Sequence, residues 1–221
     1  MTRLAFGRAA ALALSLLAGC ASDTSPNDAS LEEVSRAVYR HDGPPALTLY
    51  TMVSNKTGAG AHTSLMINGS QRVIFDPAGS VQHPDIAERG DVLFGVTPRI
   101  ADFYARAHAR ETFHVVIQRI EVDAATAEKA LQLALDNGAV SQAFCSQATS
   151  RLLRQLPGFE SIRPTFFPNS LSDQFAKLPG VTTRTTSRFT MDLEPRFLAS
   201  AGLSVCSQTA TRSPDLMRRA R

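Results

Sequence analysis

The sequence predicts an α+β fold in which helices interrupt a small antiparallel sheet. Three observations lead there. Asn68-Gly69 stands between two short apolar runs, Thr63 to Ile67 and Arg72 to Phe75, which is the pattern of a hairpin. Ile100, Phe103, Tyr104 and Ala107 recur at helical spacing, and that segment separates the hairpin from a later strand-like stretch, Thr112 to Val122. Hydrophobic residues make up 43% of the 221-residue chain, enough for one domain with a sizeable core and a poor fit to two.

From the N-terminus, Met1 to Gly19 reads as an export signal. Arg3 and Arg8 precede an apolar run from Ala9 to Ala18, with a small residue before Cys20. That run spans about ten residues, whereas a membrane-crossing helix needs about 20. Ala21 to Ala29 is rich in Ser, Asp, Asn, Thr and Pro and predicts a flexible tether over 20–29. Ser30-Leu31-Glu32-Glu33 fits a capping box, which places the start of the domain at 30 and its first helix to about Arg40.

Leu47 to Val53 is the first expected strand, followed by the hairpin. Thr97-Pro98 supplies an N-cap and first helical residue for the next helix. A further helix over Ala124 to Asp136 stops at Asn137-Gly138. Another runs from Cys145 to Leu156, with Ala148, Leu152 and Leu156 four residues apart, and ends at Pro157-Gly158. A third covers Asn169 to Leu178. Thr182 to Met191 alternates as a last strand, the domain closes at about 203, and 204–221 is a basic, loosely ordered tail.

Charge and cysteine content narrow the function classes. The leader's two arginines account for two of the formal +3, which leaves the mature chain near neutral and gives no support for nucleic-acid binding. Nothing points to a cofactor, and Cys145 with His62 and His83 lacks the ligand spacing of a metal site. With Cys20 set aside, Cys145 and Cys206 are the remaining thiols, compatible with one disulfide or with one reactive cysteine and a bystander.

Cys145 is the leading chemical candidate, because a helix N-terminus stabilises a thiolate. Such a nucleophile needs a base, and His62 is best placed, at the mouth of a strand after Gly58-Ala59-Gly60. Asp76, which ends the next strand, can orient an imidazole; before Pro77-Ala78-Gly79 it is equally a turn former. His41 and His83 fall in turn-like sequence, His108 on a polar helix face and His114 inside a strand. Phe159, Phe166, Phe167 and Phe175 read as core and lid packing around the Pro157 to Pro168 segment.

Two resemblances extend these readings. Leu17-Ala18-Gly19-Cys20 resembles the lipobox of bacterial lipoproteins, which implies cleavage before Cys20, a diacylated Cys20 and attachment to an envelope membrane. Several acyl chains on one residue make a lasting anchor, at about 0.8 kcal/mol per buried methylene. Ala21 after the cysteine resembles lipoproteins sorted to the outer membrane. Ala61-His62-Thr63-Ser64-Leu65-Met66-Ile67, Val73-Ile74-Phe75-Asp76 and Phe144-Cys145-Ser146-Gln147 together resemble the permuted papain-like superfamily of NlpC-like cysteine hydrolases and acyltransferases.

That resemblance implies a circularly permuted papain-like domain. In it Cys145 attacks an amide or ester, His62 moves the proton and Asp76 is the polar partner. Envelope location favours peptidoglycan stem peptides as substrate. The chain departs from the pattern in an added helix and strand between Asp76 and Cys145. It also lacks a glutamine at papain-like spacing, which leaves Gln142 and the Cys145 amide as oxyanion donors. The other reading is a catalytically inactive papain-like binding or scaffold lipoprotein; the chain as a whole also resembles bacterial lipoproteins of unassigned function.

Overall fold

The computed structural model describes residues 28–79 and 81–188. The leader, Cys20, the tether up to residue 27, Cys206 and everything after residue 188 lie outside the described residues.

The organising strand is β1 (Ala46–Ser54), flanked by β2 (Gly60–Asn68) on one side and β6 (Phe113–Glu121) on the other. Leu47 and Leu49 pack into one core, while Tyr50 and Met52 pack into a second. A strand covered on both faces needs no polar alternation, which is why the run Leu47 to Val53 is so continuously apolar. The remaining strands are β3 (Arg72–Phe75), β4 (Ala87–Arg89), β5 (Val92–Phe94) and β7 (Thr182–Thr186). Together they form a seven-stranded sheet in the order β4-β5-β3-β2-β1-β6-β7, antiparallel throughout.

Helices cover both faces. On the first, α3 (Ala124–Asn137), α4 (Cys145–Leu153) and α5 (Pro168–Phe175) bring Leu131, Leu153 and Phe175 against Leu49, Leu65 and Ile67. On the second, α2 (Pro98–His108) sets Ile100 and Tyr104 against Tyr50, Ile74 and Ile117. Each large apolar side chain so buried contributes about 1.5–3 kcal/mol. The class is α+β, as the sequence predicts.

Helix starts match their signals. Ser30 and Glu33 form the reciprocal capping box of α1 (Leu31–Arg36), Thr97 accepts from the Ile100 amide with Pro98 behind it, and Asp123 caps α3. Helix ends are shorter than expected: α1 stops at Arg36 rather than Arg40, and α4 at Leu153 rather than Leu156. Past Leu153 the chain tightens into turns that still bury Leu156 and Phe159. Asn68 proves to be the last residue of β2 rather than a turn residue; its side chain donates to the carbonyls of Gly43 and Pro44.

Two strands escaped the sequence reading. β4 and β5 have three residues each, too short for a periodic signal, and are joined through Gly90 and Asp91, both at positive φ as a type I′ turn requires. The connection from Asp76 to Cys145 therefore holds two helices and three strands, two strands more than the sequence predicts. The end of the tether is also structured: the Ala29 amide donates to Glu88, Arg89 donates to the Ala29 carbonyl, and the Gly90 amide donates to Asp28.

Asp91 ties distant segments together. Its buried Oδ2 accepts from the amides of Ala78 at 2.9 Å and Val140 at 2.8 Å, while its carbonyl accepts from the Asp76 amide at 2.8 Å. Asp91→Ala orphans two amides and is expected to cost about 3 kcal/mol in urea denaturation. Asp85→Ala, which removes an exposed pair with Arg99 and a longer contact with His83 at 3.9 Å, is expected to cost less than about 1 kcal/mol.

Candidate active site

A bulge aims the first side chain of the site. In the β1–β2 ladder Met52 faces His62 while Val53 faces Gly60, so Ala61 is an extra residue on β2. Bulges re-aim their neighbours. His62 projects to the α2 side of the sheet, where its Nε2 lies 2.6 Å from Asp76 Oδ1. A carboxylate only accepts, so Nε2 carries the proton and Nδ1 is the nitrogen left for another partner.

Asp76 is almost fully buried, with 1% of its side chain exposed. β3 ends just before it, and the turn Asp76-Pro77-Ala78-Gly79 closes with the Gly79 amide donating to the Asp76 carbonyl at 2.8 Å. Oδ1 also accepts from Tyr104 Oη at 2.8 Å, and Tyr104 Oη lies 2.7 Å from Ser64 Oγ. Burial, then the Asp76 charge, raise the Tyr104 phenol well above its ordinary value, so it stays protonated and donates. With its single proton directed to Asp76, it accepts from Ser64. Oδ2 packs against Gly79, where a Cβ would come within 2.1 Å.

Cys145 opens α4 on the opposite side. β2 pairs with β3 only from Leu65 to Asn68, so its first residues face α4 with an open edge. There the Cys145 sulfur lies 3.9 Å from Ser146 Oγ, and the His62 ring and the Thr63 amide are close enough to favour its thiolate. Phe144 occupies the N-cap position of α4 and supplies no side-chain cap, unlike Ser30, Thr97 and Asp123 at α1, α2 and α3. The amides of the first turn are thereby left for an anion at the thiol or beside it.

The two titrations are linked. Burial pulls the His62 imidazole down, but hydrogen bonds to Asp76 and Cys145, with their charges, outweigh it and raise the group to about 9. Burial pushes the Cys145 thiol up, yet the hydrogen bond and charge of His62, the Thr63 amide and Ser146 bring it below its ordinary value. Both shifts favour the thiolate–imidazolium pair over the neutral thiol and imidazole. Among the described residues Cys145 makes no disulfide; Cys206, its expected alternative partner, lies outside them.

The expected trio of Cys145, His62 and Asp76 is thus brought together. Tyr104, Ser64, Asp91 and Gly79 were not foreseen as its supports. Spacing carries part of that signal: His62 and Ser64 share a face of β2, and Ile100, Tyr104 and His108 recur every fourth residue of α2. His108 is a correction, since it is half-buried rather than on a polar face; its Nδ1 donates to the Tyr104 carbonyl at 2.9 Å, and its ring stacks on His62 at 6.1 Å. The mid-strand His114 is paired to Asn55 Oδ1 at 2.7 Å, and His83 packs on Phe103. Gln142 is exposed.

Phe159 and Phe175 are core, as expected, but Phe166 and Phe167 are 50% and 71% exposed and do not form a packed lid. Phe166 stacks edge-on against the exposed Phe144, one residue before Cys145. A cavity of about 270 Å³ opens beside His62. Among the described residues no cluster of His, Cys, Asp or Glu is arranged to hold a metal ion.

Comparison with protein-family models, with curated proteins and with solved structures finds none that matches this chain.

Gly79→Ala tests the coupling through Asp76. The new methyl displaces the carboxylate from His62, and the His62 pKa is expected to fall from about 9 to its ordinary value near 6.5 or below. NMR titration of the imidazole Cε1–H signal reads this directly; an unchanged pKa would refute the coupling.

Proposed function

We propose that this chain is a cysteine hydrolase or acyltransferase of the permuted papain-like kind, held at a bacterial envelope membrane by acyl chains on Cys20. The observation that carries the catalytic part is that Cys145 is coupled to the His62 imidazole, which Asp76 holds at 2.6 Å. The order of the chain supports the permuted reading: histidine strand, polar partner, then cysteine helix.

In the proposed reaction the Cys145 thiolate attacks an amide or ester carbonyl, and a carbon–sulfur bond forms as the carbonyl oxygen takes up negative charge. The amide of Cys145 is the donor best placed for that oxyanion. His62, as imidazolium, protonates the departing amine or alcohol when the carbon–nitrogen or carbon–oxygen bond breaks. The acyl-enzyme is resolved by water or a second acceptor, whose proton His62 takes up as it attacks. Asp76 keeps Nε2 protonated and Nδ1 directed at the sulfur throughout. Peptidoglycan stem peptides are the proposed substrates, because an envelope tether holds the domain near them. No helix among the described residues is long and apolar enough to cross a membrane.

Alkylation tests the nucleophile. The rate with iodoacetamide is expected to rise at a pH below the ordinary thiol value near 8.5, because His62, Thr63 and Ser146 lower the Cys145 pKa. The ion pair is lost as pH rises through about 9, where His62 deprotonates. His62→Ala should slow alkylation at pH 6.5 at least about tenfold, since an unassisted thiol there is only about 1% ionised. A Cys145 inert to iodoacetamide in the folded protein would favour the non-catalytic binding role.

The anchor has its own test. In cells fed labelled palmitate the chain should carry label and sediment with membranes, and Cys20→Ser should abolish both. Labelling that survives Cys20→Ser would overturn the lipid assignment.

A further inference from the structure

The cavity beside His62 has a one-sided charge. Its lining includes His62, His108 and Arg110, set among Met52, Phe113 and the small residues of the Asp76 turn, and no Asp or Glu. His62 is the wall that the cavity shares with the Cys145 thiol.

Arg110 differs from the other arginines of this region. Arg99 and Arg106 on α2 pair with Asp85 and Asp102, whereas Arg110 makes no ion pair among the described residues. It is nonetheless held in place. Its amide donates to the His108 carbonyl at 3.0 Å, its carbonyl accepts from the Phe113 amide at 3.2 Å, and its Nε donates to the Ala107 carbonyl at 2.8 Å. With Nε occupied, the two Nη groups remain on the far edge of a planar guanidinium, spaced to meet both oxygens of a carboxylate. The adjoining depression, also lined by Arg110, adds Arg106 and Arg188 against a single acid, Glu111.

We propose that Arg110 and the His62-side cavity form a carboxylate subsite, so that the substrate is an amide or ester bearing a free carboxylate close to its scissile carbonyl. This rests on the assignment of Cys145 as nucleophile. Neutral amides and esters of the same size enter the same cavity without meeting the guanidinium, and react more slowly for that reason.

The test uses alkylating probes that share one electrophile and differ only at the far end: N-iodoacetyl-glycine, N-iodoacetyl-β-alanine and N-iodoacetyl-γ-aminobutyrate, each against its terminal carboxamide. In every case the thiolate forms a carbon–sulfur bond and iodide leaves. The readout is the rate ratio of carboxylate to carboxamide within one protein. In the wild type this ratio is expected to reach about tenfold for at least one chain length, as a charge-assisted hydrogen bond supplies. Arg110→Gln should bring it to about one, Arg110→Lys should keep part of it, and Arg110→Glu should invert it.

A ratio near one in the wild type, or a preference that survives Arg110→Gln, overturns the subsite while leaving the nucleophile standing. A thiol that ignores all six probes overturns the nucleophile assignment, and the subsite falls with it.

Discussion

The constraint on which this site depends is the burial of the Asp76 carboxylate. A carboxylate removed from water is costly unless hydrogen-bond donors and positive charge surround it. Here the donors come from two elements that have no other reason to meet: His62 from β2 and Tyr104 from α2, both on Oδ1. Satisfying Asp76 therefore sets how α2 lies across the sheet and which way the His62 ring faces. Oδ2 has no such donor and lies against Gly79, which makes the turn after β3 intolerant of a side chain there.

Asp91 extends the same logic one layer outward. Its carboxylate holds the Ala78 amide of the Asp76 turn and the Val140 amide of the segment that leads into α4. One short turn between two three-residue strands thus positions both the acid of the site and the approach to its cysteine. Burial, joined by the charge of the nearby Asp76, raises the Asp91 pKa against the pull of its two amides.

At α4 the usual economy of helix ends is set aside. Three of the other four helices begin with a side chain that accepts from the first turn, and α4 begins with Phe144 instead. An uncapped first turn is unfavourable for the helix alone, but it leaves the first-turn amides of α4 without a side-chain acceptor. At the Cys145 sulfur itself His62, the Thr63 amide and Ser146 counter the burial that opposes a thiolate. The exposed rings of Phe144 and Phe166 border this end of the helix, so the proposed nucleophile sits between an apolar rim and the cationic cavity.

The sequence by itself determined the elements with a strong local cause. Capping residues Ser30, Thr97 and Asp123, the stop at Gly138, the strand runs and the order histidine, aspartate, cysteine are all written in short-range chemistry. What only the tertiary structure decided are contacts between residues far apart in the chain. Tyr104 reaches Asp76 across 28 residues, Asp91 reaches Val140 across 49 and His108 lies on His62. No window of sequence contains both partners. The lengths of β4 and β5 belong to this second group, because a three-residue strand is defined by the neighbour it pairs with rather than by any pattern of its own.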